Sequence, residues 1–226
     1  MKTIDIFPIK WFGNRQAYEQ SKIRVVTVGL NPSDKEFREE DGEEFTSELR
    51  FPEFNPNNEA TLEHAFNCYY DRNPYSWFMA FEHILNGMNV SYYHGKDSVA
   101  LHTDICSPWA TVPTWSKLKS KEKKELIKDG FPEWKRLIDE LKPDVILFSI
   151  PDAYIKMLDL DDALKETLTY SKTKDGTNRK KPIVITASHY HGALCIFGKT
   201  RNVPFGALGT KQKQELGAHI ASLFPK

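Results

Sequence analysis

The sequence predicts an α/β fold in three layers, α/β/α, around a mostly parallel four-stranded central sheet. Three observations carry that expectation. Compact strand-like runs alternate with helix-like stretches, the pattern of a parallel sheet covered by helices. Two of the runs, Ile23–Val28 and Val145–Ile150, are apolar and β-branched enough to be buried central strands. No repeat, low-complexity segment or linker interrupts the 226 residues, so a single domain over 1–226 is expected.

In chain order, IRVVTV at Ile23–Val28 opens the sheet and ends at Gly29. Glu59–Leu85 carries apolar side chains at helical spacing with a break near Asn73-Pro74, which predicts two helices. VALHTDI at Val99–Ile105 alternates as a strand and stops at Ser107-Pro108. Lys121–Leu141 is amphipathic and helical, with an interruption expected at Gly130-Phe131-Pro132. VILFSI at Val145–Ile150 is the next strand. Asp152–Leu168 reads as helix, Tyr170–Lys181 as a basic loop, and IVIT at Ile183–Thr186 as the fourth core strand. Thr210–Leu223 closes the chain as a helix with Thr210 at its N-cap.

Composition narrows the function classes. The apolar fraction of 40% and charged fraction of 27% are those of a globular protein. No apolar run reaches the roughly 18 residues of a membrane span, and Met1–Lys10 has no export signal, so a cytoplasmic protein without a membrane partner is expected. Cys68, Cys106 and Cys195 are too scattered for a zinc or iron–sulfur site and read as small hydrophobes. Lys plus Arg equals Asp plus Glu at 31 each, so there is no overall basic bias. The charge is unevenly spread, however: acids dominate Asp34–Glu63, and lysines crowd Lys117–Lys124 and Lys172–Lys181.

Open α/β sheets bind ligands beyond the carboxyl ends of their strands. Three expected strand ends carry polar groups suited to chemistry: Gly29-Leu30-Asn31-Pro32-Ser33, His102-Thr103-Asp104 and Ser188-His189-Tyr190-His191. In the first, glycine allows close backbone approach, proline sets a turn and asparagine offers an amide oxygen to orient water. It is neither a Walker loop nor a dinucleotide fingerprint. Asp104 ends an apolar strand, where a carboxylate is costly to bury without a partner; capping the Ser107-Pro108 turn is its purely structural role. Two histidines two apart on extended chain, His189 and His191, would face one way and suit a metal only with further ligands such as His102 or Asp104. A histidine donating to developing negative charge is the simpler reading.

Together these segments resemble the uracil-DNA glycosylase superfamily, over the order and spacing of elements from about Ile23 to Phe224. Gly29-Leu30-Asn31-Pro32 matches the Gly-x-Asn-Pro motif of its mismatch-specific and single-strand-selective branches. Arg50-Phe51-Pro52-Glu53-Phe54 and Asn73-Pro74-Tyr75-Ser76-Trp77-Phe78 look like the Phe-bearing loop and Asn-Pro-led helix of the former. Thr186–His191 is similar to the family's last strand and its His-Pro-Ser, keeping the histidine and lacking the proline and serine. Leu194–Phe205 looks like its wedge loop and Gly-x-x-Phe stretch.

The resemblance implies hydrolysis of the N-glycosidic bond of a damaged or deaminated base flipped out of single- or double-stranded DNA. Asn31 would place the water and His189 would stabilise the departing base. Gly29, Leu30, Asp104 and a stacking Phe51 or Phe54 would form the base pocket. Leu194 or Ile196 would fill the vacated space in the helix. Ser33, Ser188, His191 and Lys199 would contact DNA, supported by the lysines of Lys172–Lys181. No metal or other cofactor is implied, and a monomer is expected. Where the family has a pyrimidine-reading asparagine this chain has Asp104, which when ionised only accepts hydrogen bonds and so suits an exocyclic amine. Two alternatives stay open: a non-catalytic DNA-binding module on the same fold, and a metal-dependent hydrolase of a nucleotide or small molecule.

Overall fold

The computed structural model describes residues 2–3, 8–33, 55, 58, 60–71, 76–93, 95–173, 175–198 and 203–224. Among the described residues there are nine strands: β1 (Lys2–Thr3), β2 (Val25–Gly29), β3 (Val90–Ser91), β4 (Ser98–Asp104), β5 (Thr111–Val112), β6 (Val145–Phe148), β7 (Asp161–Lys172), β8 (Asn178–Tyr190) and β9 (Ala193–Phe197). The α-helices are α1 (Arg15–Glu19), α2 (Ala60–Asn67), α3 (Met79–Gly87), α4 (Ser120–Leu141), α5 (Asp152–Ile155) and α6 (Thr210–Ser222). Backbone contacts divide the chain into two compact units, one of Met1–Arg15, Gly29–Pro74 and Leu101–Leu141, the other of Gln16–Val28, Tyr75–Ala100 and Lys142–Lys226.

A mixed seven-stranded sheet has the order β3-β4-β2-β6-β9-β8-β7, most of its residues belonging to the second unit. β2 pairs with β6 and β6 with β9, all parallel, through Val25–Val28, Val145–Phe148 and Leu194–Phe197. These apolar strands are buried along their whole length, as strands covered on both faces must be. The expectation of four strands is thus corrected to seven, and the fourth parallel strand is also reassigned. Ile183–Thr186 lies inside β8, which runs antiparallel to both β7 and β9; β9 takes the parallel place. A two-residue turn makes the reversal. His191 and Gly192 have φ of 49° and 86° between the paired Tyr190 and Ala193, the doubly left-handed geometry that matches hairpin twist.

Downstream of β6 the expected helix Asp152–Leu168 is also corrected. Only Asp152–Ile155 is α-helical, and Asp161–Lys172 is β7. Thr167, Thr169 and Tyr170 favour extended backbone, and pairing with β8 holds them in it. The expected basic loop Tyr170–Lys181 is therefore largely a two-stranded ribbon. The closing helix is found as expected, but Gly209, not Thr210, is its N-cap, and the Gly209 amide donates to Gln212 Oε1 at 3.1 Å. α3 and α6 pack backbone to backbone: a Cβ on Gly217 would stand 2.0 Å from the Ile84 carbonyl oxygen, and one on Gly87 2.2 Å from that of Gln214. Lys213 is buried between them and donates to the carbonyls of Pro204 at 2.8 Å and Ala80 at 3.1 Å.

In the first unit, β1 and β5 form a short antiparallel pair. The break expected within Glu59–Leu85 is found, with α2 ending at Asn67 and α3 starting at Met79. α4 turns Leu126, Gly130, Trp134, Ile138 and Leu141 inward at helical spacing. It is continuous through Pro132, so the expected interruption is corrected. Packing outweighs the missing hydrogen bond: Gly130 lets the helix touch the backbone of Cys106, whose carbonyl oxygen a Cβ would meet at 2.4 Å. The Trp134 indole donates to Thr103 Oγ1 at 3.0 Å, fixing the helix against the end of β4.

Candidate functional site

Strand order reverses at β2, with β4 on one side and β6 on the other. That is the switch point at which open α/β sheets bind ligands, beyond the carboxyl end of the strand. The chain leaving β2 there, Gly29-Leu30-Asn31, belongs to the first unit, as do Leu101–Asp104 of β4. The two segments continue side by side, the amides of Ile105 and Cys106 donating to the carbonyls of Gly29 at 3.1 Å and Leu30 at 3.0 Å.

His102 and Asp104 are two apart on β4 and so share a face. Both are buried, with His102 Nε2 3.8 Å from Asp104 Oδ1. Their face presses on Gly29: a Cβ there would lie 2.6 Å from Asp104 Oδ1 and 3.1 Å from His102 Nε2. Glycine is therefore needed for close approach. The His102 ring lies 5.9 Å from that of Phe12, which in turn packs at 4.3 Å on Tyr69. The His102 and Phe12 backbones exchange hydrogen bonds at 2.9 and 3.0 Å.

Asn31 is half-buried and held from one end. Its Nδ2 donates to Thr111 Oγ1 at 3.2 Å and the Trp109 carbonyl at 3.4 Å. A carbonyl can only accept, so the amide nitrogen must face Trp109 and Oδ1 is turned the other way. Among the described residues Oδ1 has no hydrogen-bond donor. The sequence reading missed both anchoring residues; Thr111 and Trp109 follow the Ser107-Pro108 turn without any motif of their own.

The other expected site residues divide. Leu30 and Ser33 are half-buried beside Asn31 in sequence. Phe51, Phe54 and Lys199 lie outside the described residues. His189 is not at the carboxyl end of a parallel strand, so its expected place at such an end is corrected. It pairs with Leu194, which pairs with Val145, so it sits where β6 and β9 begin; Phe148 and Phe197 mark where they finish. The physical reason is the hairpin turn, which makes β8 approach from the opposite direction. Ser188 is buried and donates to the Asp161 carbonyl at 2.9 Å, so it does not face a phosphate. His191 is an exposed turn residue stacked on Tyr190 with ring centroids 4.2 Å apart. Leu194 and Ile196 are buried in β9 and cannot be a wedge loop.

Cys106 and Cys195 are buried, and burial raises both thiols far above their ordinary range, which leaves them inert. Among the described residues no group of three or more His, Cys, Asp or Glu side chains is placed to hold a metal ion; His102 and Asp104 offer two. No helix among the described residues is long and apolar enough to cross a membrane. Comparison with known proteins finds no matching family model, no matching curated protein and no matching solved structure.

Proposed function

We propose that this protein hydrolyses the N-glycosidic bond of a damaged or deaminated base in DNA, on a three-layer fold like that of the uracil-DNA glycosylases. The observation that carries the reading is the fixed Asn31 amide at the carboxyl side of β2, anchored through Nδ2 to Trp109 and Thr111 with Oδ1 turned away from them. An oxygen held in that way can accept from a water and aim its lone pair at a sugar's anomeric carbon. The water oxygen then bonds to that carbon as the carbon–nitrogen bond breaks, and the electron pair leaves on the base. The products are the free base and an abasic sugar; solvent takes the water's proton and supplies the base's.

Asp104 reads the base edge in this proposal, and His102 is a positioning residue that holds it. No step is given to His189. Its place where β6 and β9 begin favours one second reading, a DNA-binding module that flips or covers a base without releasing it. The experiment is a panel of oligonucleotides, each carrying one deaminated or modified base, scored for abasic sites. Release of at least one base, abolished by Asn31→Ala, supports hydrolysis; release of none, together with retained DNA binding, leaves the binding module.

A further inference from the structure

The ribbon made by β7 and β8 extends well past the strand it is attached to. β9 pairs only with Thr186–Tyr190 of β8, and its carboxyl end, Phe197, lies opposite Thr186. Beyond that point Leu168–Tyr170 pairs with Ile183–Ile185 and Lys172 with Asn178, and a break in register between Tyr170 and Lys172 sets Arg179–Pro182 of β8 opposite Ser171 alone. At about 3.3 Å per residue the overhang from Thr167 to Lys172 is about 17 Å. It lies on the side of the sheet where β6 and β9 finish, the ligand-binding side of such folds.

The overhang is braced. Arg179 donates through Nε to the Lys172 carbonyl at 2.7 Å and through Nη2 to the Ala207 carbonyl at 2.9 Å. Gln212 of α6 donates to the same Lys172 carbonyl at 2.9 Å. The tip is closed by the Thr173 amide donating to the Thr177 carbonyl at 2.8 Å, with the two hydroxyls 2.7 Å apart. Leu168, Tyr170, Ile183 and Ile185 form the more covered face, while Thr167, Thr169 and Val184 are exposed, Val184 by 47%. Lys172, Lys180 and Lys181 are also exposed and make no ion pair among the described residues. From 167 to 185 the sequence has five cations and one acid, Asp175, in a chain that is neutral as a whole.

We propose that this ribbon is a docking arm for double-stranded DNA and lies in the major groove, a deepening of the glycosylase reading that rests on DNA being the partner. The B-form major groove is about 12 Å wide and admits a two-stranded ribbon. Lysines at the ribbon's margins meet phosphates, and the Thr167, Thr169 and Val184 face meets base edges through methyl and hydroxyl groups. The bracing by Arg179 and Gln212 means little order has to be gained on binding. An A-form RNA duplex has a major groove too deep and narrow for the same contact.

The test measures binding of undamaged duplex DNA by fluorescence anisotropy, for the full chain and for the triple variant Lys172→Gln, Lys180→Gln, Lys181→Gln. The variant should bind at least tenfold more weakly, with the slope of log K against log salt reduced by about 3. The corresponding triple arginine variant should bind like the original chain, which rules out loss through misfolding. Duplex RNA of the same length should bind at least tenfold more weakly than duplex DNA. Unchanged duplex binding in the glutamine variant, no duplex binding by the original chain, or equal preference for RNA would overturn the arm. Base release from short single-stranded oligonucleotides is followed in parallel. Its persistence when the arm fails, or its absence when the arm succeeds, separates this proposal from the glycosylase reading.

Discussion

Gly29 and Asn31 do different work two residues apart. Gly29 is fixed by space: Gly29→Ala puts a Cβ 2.6 Å from Asp104 Oδ1 and should cost about 1–3 kcal/mol, read from denaturant unfolding. Asn31 is fixed by hydrogen bonding. If it places the water, Asn31→Ala should cut base release by about 100-fold or more while DNA affinity stays near that of the original chain. Equal losses in affinity and release would instead make Asn31 a structural brace for the Trp109–Thr111 turn. Asp104→Asn gains a donor and should shift the base ranking towards uracil and away from bases with an exocyclic amine; an unchanged ranking would remove Asp104 from base reading. At this scale the sequence was informative where a residue type has few uses. The β-branched run ending in Gly29 was legible as a strand and as its end. The histidine at 189 was not, because the same residue serves equally in a hairpin, and nothing local says which way its strand runs.

The elements that were misread share a cause. β7 contains Leu164 and Leu168 at helical spacing, and only the partner strand β8 decides for extended backbone. β9 is five residues, ALCIF, too short to be told from a loop until its neighbours are known. α4 shows the opposite error, since Pro132 suggests a break that the Trp134, Ile138 and Leu141 face overrides. The Trp134–Thr103 bond is part of that override. Thr103→Val removes the hydroxyl that accepts from the buried Trp134 indole and should cost about 1–3 kcal/mol by the same unfolding measurement. Lys213 gives α6 a pH signature. Burial lowers its pKa from 10.5 to about 8, and His83 beside it is lowered by burial and by that charge. Between those values the unfolded chain keeps a proton the folded chain has released, so this residue makes stability rise with pH from about 8 to 10.5. Relative to Lys213→Met, the original chain should gain up to about 3 kcal/mol across that window. A constant difference between the two curves would mean that Lys213 stays charged in the fold. Tyr93 and Tyr170, raised by burial, act in the opposite sense near the top of the window and cancel in the comparison.

Across the whole molecule, the α/β class followed from alternation alone, whereas strand order did not. β2 and β6 are neighbours 120 residues apart, and no local pattern announces that pairing. The β7–β8–β9 meander is different in kind, because all its pairings join residues within a single stretch from Asp161 to Phe197. Closing a long loop costs more chain entropy than closing a short one, and contacts distant in sequence slow folding. The meander's two reversals, one of them the tight turn at His191-Gly192, should therefore form early, with β9 presenting a bare edge until β6 and then β2 arrive. Pulsed hydrogen exchange during refolding reads this directly: amides of Leu168–Tyr170 and Ile183–Ile185 should gain protection before those of Val25–Val28. During that interval an unpaired apolar edge is open to any other chain, so the yield of refolding should fall steeply as protein concentration rises.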